Sequence, residues 1–535
     1  DYIYYNQNHP YAADKGRILD RNRFVMTNTI DLYANYNRKI GEDFELGAMV
    51  GHSFLKTRSR TSYIDAQNYP SPAFDVASVA ANIVDASAGL SEYAIESYFA
   101  RLSLAYKDRY VVNATIRTDG SSRFAPDCRW GWFPSVSVGW NVSNESFWNA
   151  EKTDLKIRAS YGRTGNQDGI SNYGWQALIS GGVNYGGQSG IAISSSGNDR
   201  LTWETADQYN AGFDLSFLGG KINMIADVYL KNTNNLLYSK PVHATTGETS
   251  ILSNIGSMRN KGVEFTINTH LNLGKVLWSS SFNIARNVNK LTSLLEDDLL
   301  SIGANRALKL GRTVGSWYIF RTDGIYQYDG EVPQALYDKG VRAGDVKYWD
   351  RNGDGNITDD DRIVTGNPNP KFSGGWNNTF KYKGLELSLF FTYSYGNDVY
   401  ASWMIPGSKP GHTRSLLKAY ADNRWTGPGT SDKYPRAIYS YSGWNGKNST
   451  MYLTDGSFIR LRSVTLGYTF PQRLGSKIHL KGLRVYAQGD NVFLCSRYPG
   501  WDPETSVNLD PRFYGEDNDG VPQPRIFKLG VNITF

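Results

Sequence analysis

The sequence predicts an all-β chain: a transmembrane, antiparallel, up-and-down β-barrel with long extracellular loops. Three observations predict it. Segments of alternating polarity recur along the 535 residues. The gaps between them are alternately short and long. The mean hydropathy is −0.47, and no apolar run approaches the roughly 18 residues that a membrane helix requires. A barrel tolerates that combination, because lipid-facing and lumen-facing residues alternate and average out as polar.

The last ten residues show the pattern most simply. Phe527, Leu529, Val531, Ile533 and Phe535 fall on one face, with Lys528, Gly530, Asn532 and Thr534 on the other. That is the period of a strand with one apolar face. Taken alone, this segment also fits the last strand of a soluble sandwich. The rest of the chain decides between the two.

The first alternating segment is 24–37, and a short gap leads to 44–55. A long polar loop precedes 98–106, which a Lys-Asp-Arg turn joins to 110–117. Another long loop leads to 133–142, and a medium gap to 155–162. A Gly- and Ser-rich loop, 163 to about 205, comes before 211–217 and 222–230. Segments 263–271 and 276–284 are joined by Asn-Leu-Gly-Lys. The longest loop, 287–371, precedes 372–382 and 385–395, which a Lys-Gly turn connects. The series closes with 459–470, 483–493 and 526–535. These are about fifteen strands. Short periplasmic turns and long extracellular loops sort connections in this way, and a soluble sandwich does not.

Bacterial barrels have even strand numbers, so an odd count means either a miscount by one or the C-terminal part of a larger barrel. Residue 1 is Asp, with no initiator Met and no signal peptide. This favours the second, and we expect 1–535 to be the C-terminal part of a barrel whose plug and first strands lie outside the chain.

Composition excludes some functions. The net charge of +6 is modest, and no long Lys/Arg run occurs, so nucleic acid is not a partner. The aromatic share of 14%, with 36 Tyr, suits interfacial girdles, although carbohydrate-binding β-proteins share it. Cys128 and Cys495 lack metal-ligand spacing; a disulfide between them is open, and two unpaired thiols are the favoured reading. Six His are scattered without a catalytic partner, so no catalytic residues are assigned and no enzyme is expected.

The sharpest local motif runs from Asp350 to Asp361. Asp350, Asn352, Asp354, Thr358 and Asp361 place oxygen side chains at loop positions 1, 3, 5, 9 and 12, with Gly355 at 6, Asn356 at 7 and Ile357 at 8. Alternate side chains then converge on one ion, position 7 offers its carbonyl, and Gly permits the sharp turn, as a Ca²⁺ loop requires. Position 12 is Asp where Glu is usual. A polar, Asx-rich turn without an ion is the other reading. Trp349, Trp403, Trp425 and Trp444 lie in loops, where each serves packing or stacks on a substrate, packing being the favoured reading. The polar alternates Glu386, Thr392, Arg484, Gln488, Lys528 and Asn532 are expected on the lumen face, and none is singled out as a substrate ligand.

Several stretches together resemble the SusC/RagA-type TonB-dependent transporters of Bacteroidetes outer membranes. They are Arg117-Thr-Asp-Gly-Ser-Ser-Arg-Phe124, Leu155 to Gly162 with Thr164-Gly-Asn166, and Leu201-Thr-Trp-Glu204. Asn254 to Met258, Asn260 to Glu264, Asp350 to Gly355 and Gly366-Asn-Pro-Asn-Pro370 follow. Ser457 to Leu461, Thr465 to Tyr468, Asp490-Asn491, and Tyr498-Pro-Gly500 with Asp502-Pro-Glu504 complete the set. The resemblance implies a barrel of about 22 strands with an N-terminal plug. It implies TonB-dependent uptake of large substrates, oligosaccharides or peptides. It also implies a SusD-like surface lipoprotein, commonly in a dimer of SusC–SusD pairs, and outer-membrane lipid around the barrel. Nothing in the chain resembles the plug or the TonB box. The competing reading is a secreted or surface β-protein, stabilised by calcium, that binds glycans and is soluble without detergent.

Overall fold

A computed structural model describes residues 2–5, 15–149, 152–243, 245, 248, 250–294, 299–407, 416–438, 443–475, 480–508 and 510–535. Among them no helix is long and apolar enough to cross a membrane. Sixteen strands hydrogen-bond in chain order into one sheet. They are β1 (Tyr2–Tyr5), β2 (Arg17–Ile40), β3 (Phe44–Gln67), β4 (Asn82–Tyr106), β5 (Tyr110–Ser121) and β6 (Trp130–Asn141). Then come β7 (Thr153–Asn166), β8 (Glu204–Phe217), β9 (Ile222–Asn234), β10 (Ser257–Leu273) and β11 (Val276–Ser293). The last five are β12 (Phe372–Tyr382), β13 (Leu385–Tyr395), β14 (Phe458–Thr469), β15 (Gly482–Ser496) and β16 (Ile526–Thr534).

All fifteen expected strands are present, and β12 and β13 match the reading residue for residue. The count was short by one. The strand it missed is β1, whose Tyr2, Ile3, Tyr4 and Tyr5 pair antiparallel with Asp20 to Arg17. Four residues, three of them Tyr, carry no alternation to read.

Several strands also outrun their signal. Residues 56–67 and 82–97, read as a polar loop, continue β3 and β4. At about 3.3 Å per residue, the 24 residues of β3 reach roughly 80 Å, whereas 9–11 residues cross the hydrocarbon. Beyond it water wets both faces, so the hydrophobic alternation ends while the ladder continues: Arg60 still pairs with Phe24 on one side and Leu90 on the other.

The residues fall into two compact units. The first comprises Asp1–Val138, Ser160–Asp207 and Thr233–Ile255. Its core is Phe124, Phe133, Ile170, Leu201 and Trp203. The Trp203 ring lies 4.9 Å from Phe124 and 5.5 Å from Phe133, and its N–H donates to the Arg129 carbonyl at 2.9 Å. Gly165 makes room for Phe133, because a Cβ there would lie 2.3 Å from the ring. The stretch read as a Gly- and Ser-rich loop contributes Leu201 and Trp203 to this core and folds a hairpin of Leu178–Gly181 and Ile191–Ser195.

The second unit comprises Gly139–Ala159, Gln208–Asn232 and Gly256–Phe535. Its strands keep one apolar face uncovered by protein: Phe527 is 77% and Leu529 88% exposed. Its long connections are not simple loops. Leu299–Ile302, Arg306–Lys309, Trp317–Phe320 and Arg362–Thr365 make a four-stranded sheet. Asp398–Ala401 pairs with Leu453–Asp455 and Glu516–Asp517. Trp317, Ile319, Val399, Tyr400, Met404, Tyr452 and Tyr498 form the core of this loop body.

The Lys-Gly turn between β12 and β13 needs its glycine. Lys383 and Gly384 both take positive φ, +45° and +87°, which matches the twist of the flanking strands. A Cβ on residue 384 would lie 2.5 Å from the Thr469 carbonyl oxygen. We expect Gly384→Ala to destabilise the fold by roughly 1–3 kcal/mol, measured as a lowered Tm in detergent. An unchanged Tm would show that the turn relaxes freely.

Candidate functional site

The polar face of β13 to β16 is built from residues that pair with one another. Glu386 accepts from Arg484 at 2.8 Å and pairs with Lys381 at 3.1 Å. Arg484 reaches across Gly467, where a Cβ would lie 2.9 Å from its Nη2. Gln488 Nε2 and Lys528 Nζ both donate to Asp490 at 2.7 Å, and Asn532 faces Arg484 across the ladder. Thr392 accepts from Arg462 Nε at 3.1 Å. The six residues read onto this face thus lie on neighbouring strands, five of them held by polar contacts to neighbours.

Against β13, Leu461 and Ser463 of β14 pair with the consecutive Phe391 and Phe390, so Arg462 is an extra residue that forms a bulge, which re-aims side chains. Through it Arg460 and Arg462 both reach Glu504: Arg460 Nε lies 2.7 Å from its carboxylate, and Arg462 Nη2 donates to it. Arg460 also donates to Asp502 at 2.5 Å. Arg460 is 2% and Asp502 1% exposed. The other Asp502 oxygen accepts the Gln523 N–H at 3.1 Å, so this carboxylate ties a strand to two segments of the last loop. Sequence reading marked Asp502 and Glu504 only as part of a motif and missed their arginine partners, which sit more than forty positions away. A lone Asp-Pro-Glu gives no signal for them.

In the loop body Arg306 is fully buried, its guanidinium 4.1 Å above the Trp317 ring. It donates to the carbonyls of Gly315, Phe513 and Tyr514, and its carboxylate neighbour Glu516 is 3.9 Å away. Burial pulls its pKa down to about 10, because removal from water disfavours the charged form. Burial likewise pushes the Tyr400 and Tyr498 phenols up, and the Tyr498 hydroxyl donates to Asp517 at 2.6 Å.

The four loop tryptophans serve packing. Trp403 donates to Tyr498 Oη at 3.0 Å, Trp425 to Gln327 at 3.1 Å and Trp444 to the Val346 carbonyl at 2.9 Å. Trp349 lies under the Arg321 guanidinium at 5.1 Å. Trp501, beside the buried Asp502, is instead 82% exposed, and sequence reading did not single it out.

In loop 350–361 Asp350 accepts the N–H groups of Gly353 at 2.7 Å and Gly355 at 2.8 Å. Asp361 accepts those of Arg351 at 2.9 Å and Thr358 at 2.7 Å. Asn352 Nδ2 donates to Asp354 at 3.1 Å, and Lys339 Nζ to Asn356 Oδ1 at 2.7 Å. These contacts close the loop as an Asx turn. Among the described residues no group of three or more His, Cys, Asp or Glu side chains stands ready to hold a metal. Cys128 and Cys495 are both free thiols.

A long antiparallel sheet with an uncovered apolar face and a polar, internally paired opposite face defines a β-barrel protein of the outer membrane. Residues 1–354 match the family described as TonB dependent receptor-like, beta-barrel, and the chain belongs to that family. It is a family of receptors and transporters, not a class of enzymes. TonB-dependent receptor P26 of Formosa agariphila is 33% identical over 525 residues, 94% of this chain and 52% of that protein. TonB-dependent receptor SusC of Bacteroides thetaiotaomicron is 29% identical over 531 residues, 94% of this chain and 50% of that protein. The structure of the RagAB peptide transporter superposes with a TM-score of 0.86 at 23% identity, over 99% of this chain and 58% of that one, which is a likeness of fold. The chain spans about half the length of the curated relatives it matches.

The Arg460–Asp502 pair is open to test. Removing Asp502 leaves the buried Arg460 with Glu504 as its remaining carboxylate, so Asp502→Ala should cost about 1–3 kcal/mol, seen as faster proteolysis of the loop body. The double variant Arg460→Met, Asp502→Leu should recover most of it. Equal losses in both variants would show that the pair acts through something other than charge.

Proposed function

We propose that this chain is the C-terminal barrel portion of an outer-membrane importer that takes up large nutrients, oligosaccharides or peptides, with energy from TonB. On this reading the plug and the TonB-contacting segment belong to a part of the protein outside residues 1–535. A SusD-like lipoprotein caps the extracellular mouth, in a dimer of such pairs. The observation that carries the reading is the family match across residues 1–354, joined to a folded loop body. Such a body offers a firm surface for a capping partner, with Trp501 standing out from it. The competing reading, a soluble glycan-binding protein, is disfavoured by apolar strand faces left uncovered along the sheet.

The test is made in the source bacterium. Deletion of the gene should abolish growth on one class of oligosaccharide or peptide as sole nutrient, and a tagged full-length protein should bring down a lipoprotein encoded beside it. Trp501→Ala should weaken that capture several-fold without changing the barrel's Tm. Unchanged growth on both classes, with no lipoprotein captured, would overturn the import reading.

We further propose that loop 350–361 takes Ca²⁺ once its side chains turn from backbone donors to the ion, stiffening the loop without any part in catalysis. The spacing of its oxygen ligands supports this. Isothermal titration of the purified protein with CaCl₂ should show one site that Asp350→Ala and Asp361→Ala both abolish. No heat beyond dilution would leave the Asx turn as the loop's whole role.

A further inference from the structure

The apolar strand face carries one feature that neither an import path nor a bare lipid contact requires. Ala211, Val228, Leu230, Val263 and Val288 line an open groove of about 720 Å³ on β8 to β11, with Tyr209 at its upper edge and Lys261 and Arg286 on its rim. Two more cations continue the rim. Arg259 faces Lys290 directly across the β10–β11 ladder, one step beyond the pairs Lys261–Val288 and Val263–Arg286. Arg259, Lys261, Arg286 and Lys290 are all exposed. They alternate in step with Val263, Phe265 and Ile267 on β10 and with Ile284 and Phe282 on β11, so they share the lipid-facing side. Between Ser257 and Leu273, and between Val276 and Ser293, that side holds no carboxylate. Among the described residues none of the four makes an ion pair.

Their depth is set by the short turn. Arg286 lies ten residues on from Val276, the first residue after that turn, and 9–11 tilted residues cross the hydrocarbon. The four cations therefore stand at the extracellular edge of the apolar belt, at headgroup level. Like charges set directly opposite each other on a ladder are destabilising, and Arg259 and Lys290 are so placed. An anion between them removes that cost. Arg259 is steadied by Asn232 at 2.8 Å, and Arg286 lies 5.6 Å from the Phe372 ring centre, so two of the four are held in place.

We propose that this groove and its cationic rim bind a multiply phosphorylated lipid of the outer leaflet, acyl chain in the groove and phosphates among Arg259, Lys261, Arg286 and Lys290. Guanidinium and ammonium groups suit phosphate, and the apolar floor suits the chain. A free phosphate has no use for the groove. A soluble acidic protein cannot reach a groove that continues into the hydrocarbon. The site would fasten the barrel to its leaflet at one fixed place, independently of what the protein imports.

The test uses the full-length protein purified from outer membranes, with fluorescent diphosphoryl lipid A in mixed micelles as probe. Replacing all four cations by Gln should weaken binding by roughly 500- to 1,000-fold. Monophosphoryl lipid A should bind more weakly than the diphosphoryl form, and neither phosphatidylcholine nor millimolar inorganic phosphate should compete. Ala211→Trp, which fills the groove and leaves the cations, should weaken binding at least fivefold. The loop variant Lys339→Gln, Lys433→Gln should bind as wild type. Should the fourfold variant fail to fold, judged by heat-modifiable migration, Lys261→Gln and Arg286→Gln alone should each cost about fivefold. Binding within twofold of wild type in folded cation variants, or equal competition by phosphatidylcholine, would overturn the proposal.

Discussion

The hydrocarbon of a bilayer offers a backbone N–H or C=O no partner, and each unpaired group there costs several kcal/mol. The rest of this structure follows from that constraint. Each interior strand of the sixteen-stranded sheet pairs with its two neighbours in chain order, and short turns hold the register where it matters. Pairing in a sheet sends alternate side chains to opposite faces, so one face of each strand becomes apolar and the other polar. The polar face is satisfied locally, as Glu386 is by Arg484 and Lys381. In the second unit both faces are thus provided for before any substrate is considered.

Outside the hydrocarbon the constraint relaxes and a different one takes over. Long connections in water would lose too much conformational entropy to hold one shape unless they bury a core. Those of the second unit do so around Trp317 and Tyr400, and they accept buried charge to fix how segments meet. Arg306 gathers the carbonyls of residues distant in sequence, and Arg460 clasps Asp502. These contacts specify arrangement more than they add stability, since well-packed apolar substitutes for such pairs are often as stable.

The motifs that carry the family resemblance prove to be joints of this kind. Trp203 sits among Phe124 and Phe133, and Asn254 binds both the N–H and the carbonyl of Thr202 at 2.9 and 2.8 Å. Gly366 passes so close to Trp317 that a Cβ would lie 2.6 Å from its ring, and Asn367 takes its place against Asp398. Resemblance built on such residues reports shared architecture, and it is silent on what the protein carries. Trp403, Trp425 and Trp444 show the same limit from the other side. Their indoles bond inward, so a loop tryptophan in the sequence was not evidence of a grip on substrate.

By itself the sequence determined the fold class, fifteen of the sixteen strands and the membership of the lumen face. Each rests on a period of two, which a single chain displays without reference to any neighbour. It lost β1, which is too short to show a period, and the outer halves of β3 and β4, where water removes the need for one. Tertiary structure alone decided which charges meet. Arg460 with Asp502, Arg306 with the carbonyls of Phe513 and Tyr514, and Arg259 opposite Lys290 are pairings between residues far apart in the chain. Register and loop packing create them, and no local pattern encodes a register before the strands have paired.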